Sequence, residues 1–88
     1  MSITPSFLLN LLLDQGGTRY DRDGYIWCVE FPWSQNLGKK VFCRRGTDGL
    51  PHVSATGKAA ECVERLIGPS HTQGLYNGTT NYSRWFLS

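Results

Sequence analysis

No Cys-x-x-Cys, no His-x-x-x-His and no Gly-Lys-Ser/Thr occurs anywhere in this chain. The first two absences remove the spacings by which one turn of backbone grips a metal ion with two ligands. The third removes the usual loop for nucleotide phosphates, so Gly46-Thr47-Asp48-Gly49 reads as a plain turn. Cysteine is sparse and odd in number: Cys28, Cys43 and Cys62. A secreted disulfide scaffold of this size carries an even, denser set, so three reduced thiols in a cytoplasm are expected. No apolar run is long enough to span a bilayer. Phe7–Leu13 comes nearest, but Asn10 interrupts it and no Lys or Arg precedes it. The expectation is a cytoplasmic protein with no secretory leader and no membrane contact. On that ground Asn77-Gly78-Thr79 and Asn81-Tyr82-Ser83 match the glycosylation pattern by chance. Without an internal repeat or a linker, the 88 residues read as one domain, 1–88, with a compact core over 3–68 and a tail, 69–88, that can dock on it.

What is present is a local concentration of positive charge. Lys39, Lys40, Arg44 and Arg45 put four cations into seven residues, around Val41-Phe42-Cys43. Residues 1–30 carry the opposite balance, with Asp14, Asp21, Asp23 and Glu30 against Arg19 and Arg22. The net charge of +2 is therefore a stripe on a near-neutral molecule. A stripe of this kind marks a face that meets something negative, or an edge strand kept from pairing with other chains.

The stripe sits within a legible order of elements. Thr4 and Pro5 mark a helix start, as N-cap and first helical residue, with Ile3 and Leu8 as the apolar pair that staples it. Phe7, Leu8, Leu11 and Leu12 form its apolar face, and Gly16-Gly17 stops it. Thr18–Asp21 reads as a short strand and Arg22-Asp23-Gly24 as a turn. Tyr25, Trp27, Val29, Phe31 and Trp33 then alternate with Ile26, Cys28, Glu30 and Pro32, the strongest strand signal in the chain. Lys39–Arg45 is the next strand, with Val41 and Cys43 facing one way and Lys40, Phe42 and Arg44 the other. Gly46–His52 reads as a loop. Ser54 or Thr56 caps a second helix with Ala59, Val63, Leu66 and Ile67 on its dry side, ended by Gly68-Pro69. Beyond it Asn77-Gly78 is a turn signal that can pair Leu75-Tyr76 with Thr79-Thr80. The fold class expected is α+β in the order α-β-β-β-α, with a three-stranded antiparallel sheet, both helices on one face and an aromatic C-terminal tail.

This order resembles that of the double-stranded-RNA-binding domain over roughly residues 4–68, by pattern alone. That family's second helix opens with a lysine cluster, where this chain has Lys58. Its first inter-strand loop carries Gly-Pro-x-His, where this chain has Arg22-Asp23-Gly24. Membership does not follow.

Catalytic chemistry has little to work with. Cys43 or Cys62 could meet His52 or His71, yet no third group is placed to orient the base. Asp21 and Asp23 flank a turn, which turn chemistry alone accounts for. No enzyme activity, metal or cofactor is expected. The reading is a partner-binding protein, a stoichiometric inhibitor or adaptor acting on nucleic-acid-handling or host-defence machinery. Virus- and mobile-element-encoded accessory proteins are often small and motif-poor in this way, an analogy of size only. The expected contact residues are Lys39, Lys40, Phe42, Arg44, Arg45, Trp85 and Phe86, facing a protein or nucleoprotein. The alternative is a nucleic-acid-binding module built on the same basic strand, because a flat ring between two cations suits base stacking. Trp85 and Phe86 have a plainer role open to them as well, docked on the sheet to close the core.

Overall fold

In a computed structural model, which describes residues 3–33, 38–76 and 80–88, the chain is an α+β domain with two helices and one six-stranded antiparallel sheet. The elements run α1 (Pro5–Asp14), β1 (Thr18–Tyr20), β2 (Trp27–Glu30), β3 (Lys40–Arg45), β4 (Pro51–Ala55), α2 (Gly57–Ile67), β5 (Thr72–Tyr76) and β6 (Thr80–Phe86). Their order across the sheet is β1-β2-β3-β4-β6-β5. The expected three-stranded sheet is thus corrected to six strands, and the likeness to the double-stranded-RNA-binding order ends with it. One extra strand precedes α2 and two follow it.

Each missed strand has a physical reason. In β4, Pro51, Val53 and Ala55 are buried while His52 and Ser54 are only partly so, a true period of two. Pro, His, Ser and Ala are poor strand formers, so the alternation is written in residues that read as a loop. The 69–88 segment is no tail. Its strands β5 and β6 pair from Thr72↔Arg84 to Tyr76↔Thr80, and β6 also pairs with β4 from His52↔Phe86 to Ala55↔Ser83. The expected pairing of Leu75-Tyr76 is real but meets Thr80-Asn81. The Asn77-Gly78 turn lies outside the described residues.

The pleat gives the sheet two chemically different faces. Register places Trp27, Val29, Val41, Cys43, Val53, Ala55 and Trp85 on one side. All are buried, in one cluster with Leu8, Leu9 and Leu12 of α1 and Ala59, Cys62 and Val63 of α2. Leu11 and Leu66 are only half-buried, and Phe7 is turned outward at 49% exposed, so the dry stripe of α1 is centred one residue later than expected. Thr4 Oγ1 accepts from the Phe7 N–H at 3.1 Å, the N-cap bond the sequence signals. Thr56 is the N-cap of α2 but makes no side-chain cap bond. The Ala59 N–H donates instead to the Gly38 carbonyl at 2.9 Å. That contact requires glycine, since a Cβ at position 38 would sit 1.9 Å from the Thr56 oxygen.

Two indoles tie the helices to the sheet. Trp27 Nε1–H donates to the Pro5 carbonyl at 3.1 Å, at the start of α1. Trp85 Nε1–H donates to the Gly68 carbonyl at 2.9 Å, at the end of α2. A buried tryptophan needs such an acceptor, because an unpaired N–H in a dry core costs about 1–3 kcal/mol. Trp27→Ala is expected to destabilise the domain by about 3–5 kcal/mol in urea denaturation. Trp27→Phe, which keeps most of the apolar area but removes the donor, is expected to cost less.

Candidate binding face

The side of the sheet that carries no helix is lined by the alternate residues of the same strands. Register runs Tyr20↔Cys28↔Phe42↔Ser54↔Arg84↔Thr72 across all six strands. A neighbouring row runs Arg44↔His52↔Phe86, and Glu30↔Lys40 lies on the other side. Lys40, Phe42 and Arg44 therefore project together, as their spacing requires.

Around Phe42 the chain assembles a cluster of rings and cations. The Tyr25 ring lies 5.6 Å from that of Phe42, tilted by 49°. The Arg22 guanidinium is 5.0 Å from the centre of Tyr25 and 5.8 Å from that of Phe42. Arg44 is 5.8 Å from Tyr25, and Lys40 is 6.0 Å from Tyr20. A second cluster surrounds Phe86. His71 stacks on it at 5.3 Å and 23°, and His52 leans against it at 4.8 Å. His71 is held in place because its Nδ1 accepts from the Phe86 N–H at 3.1 Å. Between the clusters stand Ser54 and Arg84, and the Arg84 guanidinium lies 5.3 Å from the Tyr82 ring.

Cations outnumber acids on this face, where Glu30 stands opposite Lys40 in register and Asp48 lies beside His52. Among the described residues the ion pairs are Arg19–Asp21 at 3.7 Å and Lys39–Glu30 at 3.7 Å, and His52 lies close to Asp48. The Leu50 N–H, donated to Asp48 Oδ1 at 2.9 Å, holds the Asp48 carboxyl below its ordinary range. His52 Nε2 lies 3.4 Å from Asp48 Oδ2 without hydrogen-bond geometry and stays buried and unpaired. Arg22, Lys40, Arg44 and Arg84 have no carboxylate partner among the described residues. Arg84 Nε is sealed from solvent and meets no acceptor among them either. The notch on the helix side, between α2 and the β5–β6 pair, carries the opposite sign through Glu61 and Glu64.

The expected contact residues thus divide. Lys40, Phe42 and Arg44 share the open face, and Phe86, 40% exposed, joins them from β6. Lys39 is engaged with Glu30, and Arg45 reaches back to the Gly49 carbonyl in its own loop. Trp85 is 1% exposed and belongs to the core, because its register sets it opposite Val53 on the inner face. Missing from the expectation were Tyr20, Arg22, Tyr25, His52, His71, Tyr82 and Arg84. The alternation Tyr82, Arg84, Phe86 against Ser83, Trp85, Leu87 was the signal that could have found the β6 members.

The cysteines are free and buried. Cys28 and Cys43 sit on adjacent strands but face opposite sides, since Cys28 pairs with Phe42 and Cys43 with Trp27. Side chains directed to opposite faces cannot be bridged without moving backbone. Burial pushes all three thiols up, Cys43 to about 12. Among the described residues no group of His, Cys, Asp and Glu could hold a metal ion, and no helix is long and apolar enough to cross a membrane.

A pH dependence follows. A thiol whose folded pKa lies above its unfolded value, about 8.5, stabilises fully below that pH and loses its contribution as pH rises toward the folded value. Urea denaturation is expected to show stability falling from about pH 8 to 10, with a shallower fall in Cys43→Ala. A flat profile in the native sequence would place the thiols in water.

Comparison with protein-family models, curated proteins and solved structures finds no match for this chain.

Proposed function

We propose that this protein is a non-catalytic binding module that acts stoichiometrically, by blocking or bridging, through its helix-free sheet face. One observation carries the reading. Four cations without a carboxylate partner among the described residues and an exposed phenylalanine occupy the face that neither helix covers. Rings and Arg side chains are the groups that dominate interface energetics, and unpaired surface cations steer an acidic partner toward them. The partner class this suits is a protein or nucleoprotein of nucleic-acid-handling or host-defence machinery. The setting proposed is the cytoplasm, where three buried thiols stay reduced.

The test compares the intact chain with a Lys40→Glu, Arg44→Glu variant as bait in host lysate. A Glu61→Lys, Glu64→Lys variant on the helix side serves as control, and circular dichroism checks folding. The face variant is expected to lose the partner and the control to keep it. With the captured partner, charge reversal is expected to slow association by about tenfold or more at low salt. Loss in the control and retention in the face variant would move the contact surface to α2.

A further inference from the structure

Resting on that reading of the face, we infer that its occupant is a single-stranded nucleic acid, with bases on the Tyr25–Phe42 and Phe86 clusters and phosphates along Arg22, Lys40, Arg44 and Arg84. The pattern of the face is the argument. Tyr20, Tyr25, Phe42 and Tyr82 each have a cation within 6.0 Å of the ring centre. A nucleotide chain has the matching repeat, a flat π-face followed by an anion. A protein interface shares the rings and the arginines but is depleted of lysine, whereas here Lys40 projects beside Phe42. Arg84 stands mid-face, between Ser54 and Thr72 in register, and its Nη2 donates to Tyr82 Oη at 3.4 Å, which holds the guanidinium beside that ring. A planar guanidinium fork of this kind pairs well with phosphate.

The spacing of the clusters selects a single strand over a duplex. Phe42 and Phe86 lie on β3 and β6, separated by β4 and offset by two residues. From strand spacing and rise, that is about 12 Å. A stacked strand advances about 3.4 Å per phosphate, so neighbouring bases inside a duplex cannot occupy both clusters. A splayed strand can, with its backbone crossing the small Ser54 side chain beside Arg84. The sheet face also offers no helix or ribbon to enter a groove about 12 Å wide. The second cluster is set in advance of binding, because the Phe86 N–H to His71 Nδ1 bond fixes the stacked His71 ring. Groups already ordered lose less on binding.

Fluorescence anisotropy with the full chain tests this. The probes are labelled single strands of thymidylate and of uridylate, roughly 15 nucleotides long, and a duplex of the same length. Saturable binding to either single strand is expected, at least about tenfold tighter than to the duplex. Contacts to three or four phosphates predict a loss of roughly 20- to 50-fold from about 50 to 200 mM salt. Phe86→Ala, with its fold checked by circular dichroism, is expected to weaken binding roughly 5- to 150-fold. Arg84→Gln is expected to flatten the salt slope by about 0.7, and Phe7→Ala on the helix side to change nothing. Failure to bind either single strand, a duplex bound as well or better, or a folded Phe86→Ala that binds normally would each overturn the inference. If the oligonucleotides fail while face-dependent capture of a protein survives nuclease, the face reading stands and its occupant is an acidic protein surface. If neither the oligonucleotides nor the lysate partner respond to Lys40 and Arg44, both readings fall.

Discussion

Everything in this molecule depends on the fact that two short helices can dry only one side of a sheet. Six strands at about 4.8 Å spacing make a sheet about 24 Å across, and two helices of about 10 Å diameter side by side cover one such face. The helices here have 10 and 11 residues and pack on the same side. The second face must therefore be finished by its own side chains. The pleat enforces the division residue by residue, because each step along a strand changes sides.

The inner face meets this constraint with valines, small residues and two tryptophans, which are heavy in apolar area and each carry one polar handle. Both handles are used on helix ends, so packing and orientation are set together. The outer face meets it with amphipathic side chains. Tyr, Arg, Lys and His can lay an apolar body on the sheet and keep a polar tip in water. Cys28 shows how well this works. It lies on the helix-free side and is nonetheless fully buried, flanked in register by Tyr20 and Phe42. The rings and cations are thus structural cover and binding surface at once. A partner that takes over their contacts finds a face already organised.

Charge is segregated by the same geometry. Glu61 and Glu64 sit on the wet side of α2, beyond the core from Lys40, Arg44 and Arg84. The acids of residues 1–30 do less to cancel the cations than their proximity in sequence implies. Asp21 is taken up by Arg19 and Glu30 by Lys39. A net charge of +2 consequently understates the field on the open face, where exposed charges act over about 8–10 Å at ordinary salt.

Local signals alone determined α1 with its Thr4 cap, β3, the centre of β2, and Ala59 and Val63 on the dry side of α2. In each, one period of hydrophobicity runs uninterrupted through good formers of that structure. They also determined that Lys40, Phe42 and Arg44 share a face, because a period of two needs no tertiary information. The same signals set Tyr25 on the face of Trp27, whereas β2 begins only at Trp27 and the Tyr25 ring meets Phe42 on the other side. They missed Cys62, which is buried where Leu66 and Ile67 are only partly so. Tertiary structure decided the rest. β4 exists because β3 on one side and β6 on the other pair with a segment of weak propensity. β6 was hidden because its inner positions at Asn81 and Ser83 are polar, so the alternation shows only at its Trp85 end. Whether Trp85 or Phe86 faces water depended on the register of β6 against β4, which one step of slip would invert. The meeting of Phe42 with Tyr25 and Arg22, and of Phe86 with His52 and His71, was decided there too. Residues tens of positions apart become neighbours only when strands from both ends of the chain share one sheet.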